Sequence, residues 1–170
     1  MKRHISITIS LILLLCSISL SAQTGRFYST DKELSNSLIN KVYQDRKGFV
    51  WIATENGLNK FDGTRFSIYR HNETDSLSLK NNYVRSLFED SYGNFWIGCI
   101  NGLQLYDRAT NSFSEIHLKR NNEPVFPHIT NIIERANGEI WMSTSGQGAI
   151  SIRINKKNPD HPFDITIETG

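Results

Sequence analysis

Residues 43–58 read YQDRKGFVWIATENGL, and two later stretches of the chain repeat this phrase. Residues 88–103 read FEDSYGNFWIGCINGL, and residues 133–149 read IERANGEIWMSTSGQGA. The phrase is centred on a tryptophan that recurs every 45 residues, at Trp51, Trp96 and Trp141. A fixed internal period of this size indicates a repeat protein, in which each repeat is one small unit stacked on its neighbours.

Each repeat has the pattern of four short strands separated by turn residues. In the first repeat the pattern predicts strands near residues 41–44, 49–54, 58–61 and 65–69. We expect Asp45 to accept a backbone N–H in the first turn, and Gly48 to take a positive φ there. The pair Asn56-Gly57 predicts a two-residue type I′ hairpin. Strands that are apolar on both faces, such as residues 49–52, indicate sheets sandwiched between other sheets.

The second repeat keeps this order closely, whereas the third departs from it. In the third, Arg135 stands in place of the turn acid, one residue is inserted before Gly148, and a longer loop runs up to Phe163. Turn glycine, tryptophan and second glycine define the structural positions of the repeat, which are Gly48, Trp51, Gly57, Gly93, Trp96, Gly102, Gly138 and Trp141.

Four antiparallel strands in about 45 residues are the dimensions of a β-propeller blade. We therefore predict an all-β fold with blade 1 at residues 38–80, blade 2 at 81–122 and a degenerate blade 3 at 123–170, for which truncation is an alternative. The leading segment 23–37 contains Phe27-Tyr28, which we predict to be an orphan outer strand that closes the ring. Because propellers have about 4–8 blades, we expect these residues to be the N-terminal part of a longer chain with an incomplete ring.

The first 22 residues have the layout of a secretory signal peptide. Lys2, Arg3 and His4 precede an apolar run, and small residues end at Ala22. An uncleaved membrane anchor is the alternative, although the run is shorter than the roughly 20 apolar residues that span a bilayer. Bulky Leu15 before Cys16 argues against lipidation. The sequence thus predicts export, with cleavage after Ala22.

Composition and residue spacing favour a non-catalytic chain. Without residues 1–22 the acidic and basic residues are equal in number, which gives no electrostatic case for nucleic acid. The five histidines show no metal-ligand spacing, and no phosphate loop or nucleophile elbow is present. Asp45, Glu89 and Asp90 could form a catalytic acid pair, but Asp45 and Asp90 precede equivalent turn glycines and are better explained as turn caps. We predict Cys99 to be a small buried side chain, the tryptophans to be packing residues, and no cofactor, metal or catalytic residue.

Two stretches carry a resemblance to a known family. LSNSLINKVYQDRKGFVWIATENGLNKFDG (residues 34–63) and YVRSLFEDSYGNFWIGCINGLQLYDRATNSF (residues 83–113) closely resemble the two-component regulator propeller repeat. That repeat is known from the periplasmic sensor region of hybrid two-component histidine kinases. The second repeat departs from its wording at Gly98 and Cys99, and the third departs more.

The resemblance implies a role in the sensing half of such a kinase. It implies ligand sensing, commonly of a polysaccharide breakdown product, at the periplasmic side of the inner membrane, within a homodimeric parent that supplies the remaining blades. The residues alone name no ligand contact, and Arg70–Lys80 and Lys119–His128 are candidate ligand loops. The alternatives are a secreted propeller lyase or glycosidase and a non-catalytic secreted scaffold.

Overall fold

The computed structural model describes residues 25–29 and 33–154, and the backbone of a last strand at residues 163–168. The predicted signal peptide lies outside the described residues. In the part described, every regular element is a β-strand, and no helix there is long and apolar enough to cross a membrane.

Three antiparallel sheets of four strands follow one another along the chain. The first sheet consists of β1 (Ile39–Gln44), β2 (Val50–Thr54), β3 (Gly57–Phe61) and β4 (Phe66–Tyr69). The second consists of β5 (Val84–Glu89), β6 (Phe95–Cys99), β7 (Gly102–Asp107) and β8 (Ser112–Ile116). A hairpin of β9 (Leu118–Arg120) and β10 (Glu123–Val125) precedes the third. The third consists of β11 (Ile129–Glu134), β12 (Ile140–Thr144), β13 (Ala149–Ile154) and β14 (Phe163–Glu168).

The strands of each sheet are paired in chain order, which confirms the predicted four-stranded blade. The first strands β1, β5 and β11 pack against one another, whereas the fourth strands make no comparable contacts. The sheets therefore fan out from an inner edge formed by their first strands, as blades do around a propeller axis.

Apolar side chains fill the two spaces between the sheets. Trp51 is fully buried between the first and second sheets, with its ring 4.7 Å from that of Phe95. Trp96 is fully buried between the second and third sheets. Trp141 and Ile133 lie on the face of the third sheet that points away from the second sheet. Trp141 is therefore half-buried, and Ile133 is 52% exposed. The tryptophan thus occupies the same face of every blade.

Gly98 allows the second and third sheets to approach closely. A Cβ at this position would lie 2.6 Å from Cγ2 of Ile129, which is far inside van der Waals contact. The equivalent residue of the first repeat is Ala53, so the departure from the repeat wording at Gly98 matches a tighter contact between blades.

The predicted type I′ turn at Asn56-Gly57 is wrong. Thr54 is paired with Gly57, so the loop residues are Glu55 and Asn56. A type I′ turn needs positive φ at both central residues. Among the described non-glycine residues, positive φ occurs at Asn111, Asn121 and Asn122, and the glycine has φ 122° as the first residue of β3.

Two further findings differ from expectation. Asn121 and Asn122, with φ of 50° and 70°, form the two-residue turn of β9 and β10, a hairpin that we did not predict within the candidate ligand loop Lys119–His128. The structure assigns no strand to residues 25–29, where we predicted a closing strand. A strand needs a hydrogen-bonded neighbour, and Tyr28 instead packs its ring 5.3 Å from the rings of Phe61 and Phe66.

Candidate functional site

Each blade has two ends, which carry different kinds of residues. We call the end with the turns at residues 45–49, 90–94 and 135–139 the capping end. The opposite end holds the turns after β2, β6 and β12 and the segments that lead from one sheet to the next. We call it the connection end.

At the capping end, one carboxylate ties the turn to the tryptophan of its own blade. Oδ1 of Asp45 accepts the backbone N–H groups of Lys47 and Phe49, each at 3.0 Å. Oδ2 accepts the indole N–H of Trp51 at 2.8 Å. Asp90 repeats these bonds, with Oδ1 accepting two backbone N–H groups and Oδ2 accepting the indole of Trp96 at 2.8 Å.

The third blade keeps the indole bond with a different residue. Arg135 occupies the aspartate position, and Glu139, four residues later, accepts the indole N–H of Trp141 at 2.9 Å. Arg135 and Arg153 both donate to Glu139, at 3.3 and 2.9 Å. Every blade therefore has a carboxylate on its tryptophan, although the sequence showed the acid at only two of the three turns.

The capping end also joins neighbouring blades. Arg108 of the second blade donates to Asp45 of the first at 2.7 Å and to Glu89 at 3.0 Å. Glu89 accepts the backbone N–H of Arg46 at 2.7 Å. Glu134 accepts that of Ser91 at 2.8 Å, which is the same contact one repeat later.

These bonds occupy the carboxylates that could have formed a catalytic pair. Burial alone would raise the pKa of Asp45, but the bonds from Trp51 and Arg108 together outweigh burial and lower it. A carboxylate that accepts hydrogen bonds from an indole, a guanidinium or backbone N–H groups stabilises the fold through them. These capping-end carboxylates therefore hold the turns and the contact between blades.

The connection end contains both candidate ligand loops. Arg70–Lys80 forms one wall of a cavity of about 190 Å³, closed on the other side by Gln104 and Glu115. Lys80 Nζ lies 2.7 Å from Glu115 Oε2, and the backbone N–H of Lys80 donates to Gln104 Oε1 at 2.7 Å. The second loop, Lys119–His128, contains most of the β9–β10 hairpin, and Arg120 donates to Gln147 O at 3.0 Å.

Equivalent positions of this end hold the same backbone bond but different side chains. The N–H after β2, β6 or β12 donates to the carbonyl group just before the first strand in each blade, at 3.1, 3.3 and 2.9 Å. The donor residues are Glu55, Ile100 and Ser145, and the acceptor residues are Leu38, Tyr83 and His128. Each first strand then has a register shift, which places Asn40, Arg85 and Thr130 at the irregularity.

Four of these side chains meet at the inner edge, and we call them the rim cluster: Glu55, Tyr83, Arg85 and His128. Tyr83 donates its hydroxyl to Glu55 Oε1 at 2.7 Å. The guanidinium carbon of Arg85 lies 5.9 Å from the centre of the Tyr83 ring, and the His128 ring meets that ring edge-on at 6.4 Å. Burial, and then Arg85, lower the pKa of His128, which keeps its imidazole neutral at pH 7.

The other candidate residues have structural surroundings. Cys99 is fully buried, and burial raises the pKa of its thiol to about 12, so the thiol is inert. Within the residues that the structure describes, no three His, Cys, Asp or Glu side chains converge as metal ligands would.

The sequence indicated two candidate ligand loops, one of which includes His128, but it did not indicate Glu55, Tyr83 or Arg85. A signal was present, because positions 38, 40 and 55 change chemistry in every repeat while the tryptophan position does not. The register of the first strands is required to show that these positions lie together in one patch.

Comparison with known proteins agrees with this architecture. The two-component regulator propeller family matches residues 33–56 and 78–101, which contain the capping turns and tryptophans of the first two blades. The first two blades thus each contain one match to that repeat family. A histidine kinase of Formosa agariphila is 38% identical to this chain over 81 residues, which is 45% of this chain and 6% of that kinase.

Two solved structures from B. thetaiotaomicron share the fold. The extracellular domain of a hybrid two-component system matches with a TM-score of 0.71 and 27% identity, over 85% of this chain and 20% of that one. The extracellular domain of a one-component system matches with a TM-score of 0.60 and 26% identity, over 68% of this chain and 16% of that one. This chain thus spans a small part of the length of each relative.

Proposed function

We propose that this chain is part of an extracytoplasmic sensor propeller that binds a carbohydrate and passes the signal to a histidine kinase. The observation that carries the proposal is the fold match to the extracellular domain of a hybrid two-component system. Under this proposal the segment is exported, lies on the periplasmic side of the inner membrane, contributes no catalytic residue, and belongs to a homodimeric parent with further blades.

The geometry supports the connection end as the sensing surface. The capping-end carboxylates bond indole and backbone donors, whereas the connection end carries two long connecting segments and side chains that differ between blades. Binding residues are typically carried by loops on a rigid scaffold.

An in-frame deletion in the producing bacterium tests this proposal. We would delete the codons for residues 38–170 and measure transcription during growth on a panel of polysaccharides. We expect one class of polysaccharide to lose its transcriptional response while responses to the other classes persist. Unchanged transcription on every polysaccharide would overturn the proposed function.

A further inference from the structure

The fold does not require the particular side chains of the rim cluster. At its three repeat positions the first blade has Leu38, Asn40 and Glu55, whereas the second has Tyr83, Arg85 and Ile100. All three blades nevertheless make the same backbone bond at this place and the same register shift in the first strand. Since bulges commonly re-aim a side chain beside a functional site, Arg85 is placed as a site residue would be.

The donors of Arg85 are largely unused. Its one hydrogen bond within the described part of the chain runs from Nη1 to Tyr83 Oη at 3.4 Å, and none of the ion pairs found there includes it. Glu55 accepts the Tyr83 hydroxyl instead of pairing with Arg85. By contrast, Arg108 at the capping end bonds two carboxylates. A guanidinium has five donors in a planar fork that fits a carboxylate or a sulfate.

His128 adds a second unused group to the cluster. Its Nε2 is buried and has no hydrogen-bond partner among the described residues. Buried polar atoms are normally satisfied, and an orphaned one calls for an explanation. The His128 ring lies edge-on beside the Tyr83 ring, and the Arg85 guanidinium also lies beside Tyr83. A group bound by Arg85 is therefore close to both rings.

We propose that the rim cluster binds the anionic group of an acidic saccharide, which is a carboxylate of a uronic acid or a sulfate ester. The Arg85 guanidinium holds the anion, the Tyr83 ring contacts a sugar face, and Nε2 of His128 bonds a neighbouring oxygen. Glu55 fixes the Tyr83 hydroxyl and thereby the ring. This inference rests on the proposed function, since it names the ligand class and the contact residues of that sensing surface.

Titration calorimetry on the intact protein tests the inference with matched ligands. The probes are oligo-uronates, sulfated oligosaccharides, and the same oligosaccharides after carboxyl reduction or desulfation. We expect one acidic set to bind at least about tenfold more tightly than its neutral counterpart, because one charge-assisted bidentate contact contributes more than 1.4 kcal/mol. Which acidic set binds distinguishes a carboxylate from a sulfate.

Variants at position 85 then assign the contact. Arg85→Asn, which introduces the residue of the first blade, should remove the preference for the acidic form, and Arg85→Lys should keep part of it. Thr130→Asn at the equivalent place in the third blade is the matched control and should leave the preference unchanged. Circular dichroism spectra that match the unsubstituted protein show that each variant is folded.

The failures of the two proposals are distinguishable. Equal binding of acidic and neutral forms, or an acidic preference that Arg85→Asn leaves intact, overturns the rim cluster as the anion site and keeps the sensing role. If no saccharide of any charge binds, both proposals are overturned.

Discussion

The capping end and the connection end of these blades are built on the same strands, yet they treat equivalent positions in opposite ways. At the capping end, three blades keep a carboxylate on the tryptophan, even where the acid has moved from position 135 to Glu139. At positions 38, 40 and 55 of the connection end and their repeats, three blades keep the backbone bond and the register shift but exchange the side chains. Constancy within the chain thus marks residues that hold the blades together, and variation on a constant backbone marks positions that the fold leaves free to vary.

The largest effect that this comparison predicts is the loss of Asp45. In Asp45→Ala, the guanidinium of Arg108 and the indole N–H of Trp51 lose their common acceptor. Breaking a buried ion pair by removing one partner costs about 3–5 kcal/mol. We expect urea unfolding, followed by tryptophan fluorescence, to show a loss of this size.

Asp62→Ala is the matched control for that variant. Asp62 also accepts two backbone N–H groups in a turn, from Thr64 and Arg65, but it lies at the surface and has no indole partner. Its urea midpoint should stay much closer to that of the unsubstituted protein. Equal losses in the two variants would show that turn capping alone explains Asp45.

A smaller effect should follow from protonating the same carboxylate. The pKa of Asp45 lies below its usual value in the folded protein, so its contribution to stability is present above the unfolded pKa near 3.8 and is lost as pH falls through the folded pKa. We expect the urea midpoint to decrease from about pH 5 downward. Asp45→Asn should be less sensitive over this range, and an identical pH profile would contradict the assignment.

The relocated acid of the third blade gives the next, smaller effect. Glu139→Ala should lower the urea midpoint by less than Asp45→Ala, because Arg135 and Arg153 have side chains that are 59% and 73% exposed and can be solvated. Adding Arg135→Asp restores the acid of the other repeats and should recover part of the loss. Arg135→Ala alone is the control. If the double variant has the same urea midpoint as Glu139→Ala, the third turn cannot adopt the geometry of the other two repeats.

The tryptophan period was sufficient to predict the blades, because period, turn glycines and strand lengths are local properties of the sequence. It did not predict which acid bonds Trp141, since the exchange between Arg135 and Glu139 becomes evident only when both side chains are placed around one indole. The Asn-Gly rule was applied to Asn56-Gly57, whereas the hairpin with two positive φ values is Asn121-Asn122. The rim cluster depends on contacts between residues 28 and 45 positions apart, which no single motif encodes.

The smallest predicted effect belongs to the connection end. Arg85→Asn replaces a side chain with one weak hydrogen bond, and position 40 of the first blade shows that asparagine fits this irregular place in the strand. We expect the free energy of unfolding to stay within about 0.5 kcal/mol of the unsubstituted protein, as for surface substitutions away from structural partners. The same urea titration measures it. A loss near that of Asp45→Ala would place Arg85 in the scaffold, and the contrast between the two ends would then fail at the residue on which the proposed anion site depends.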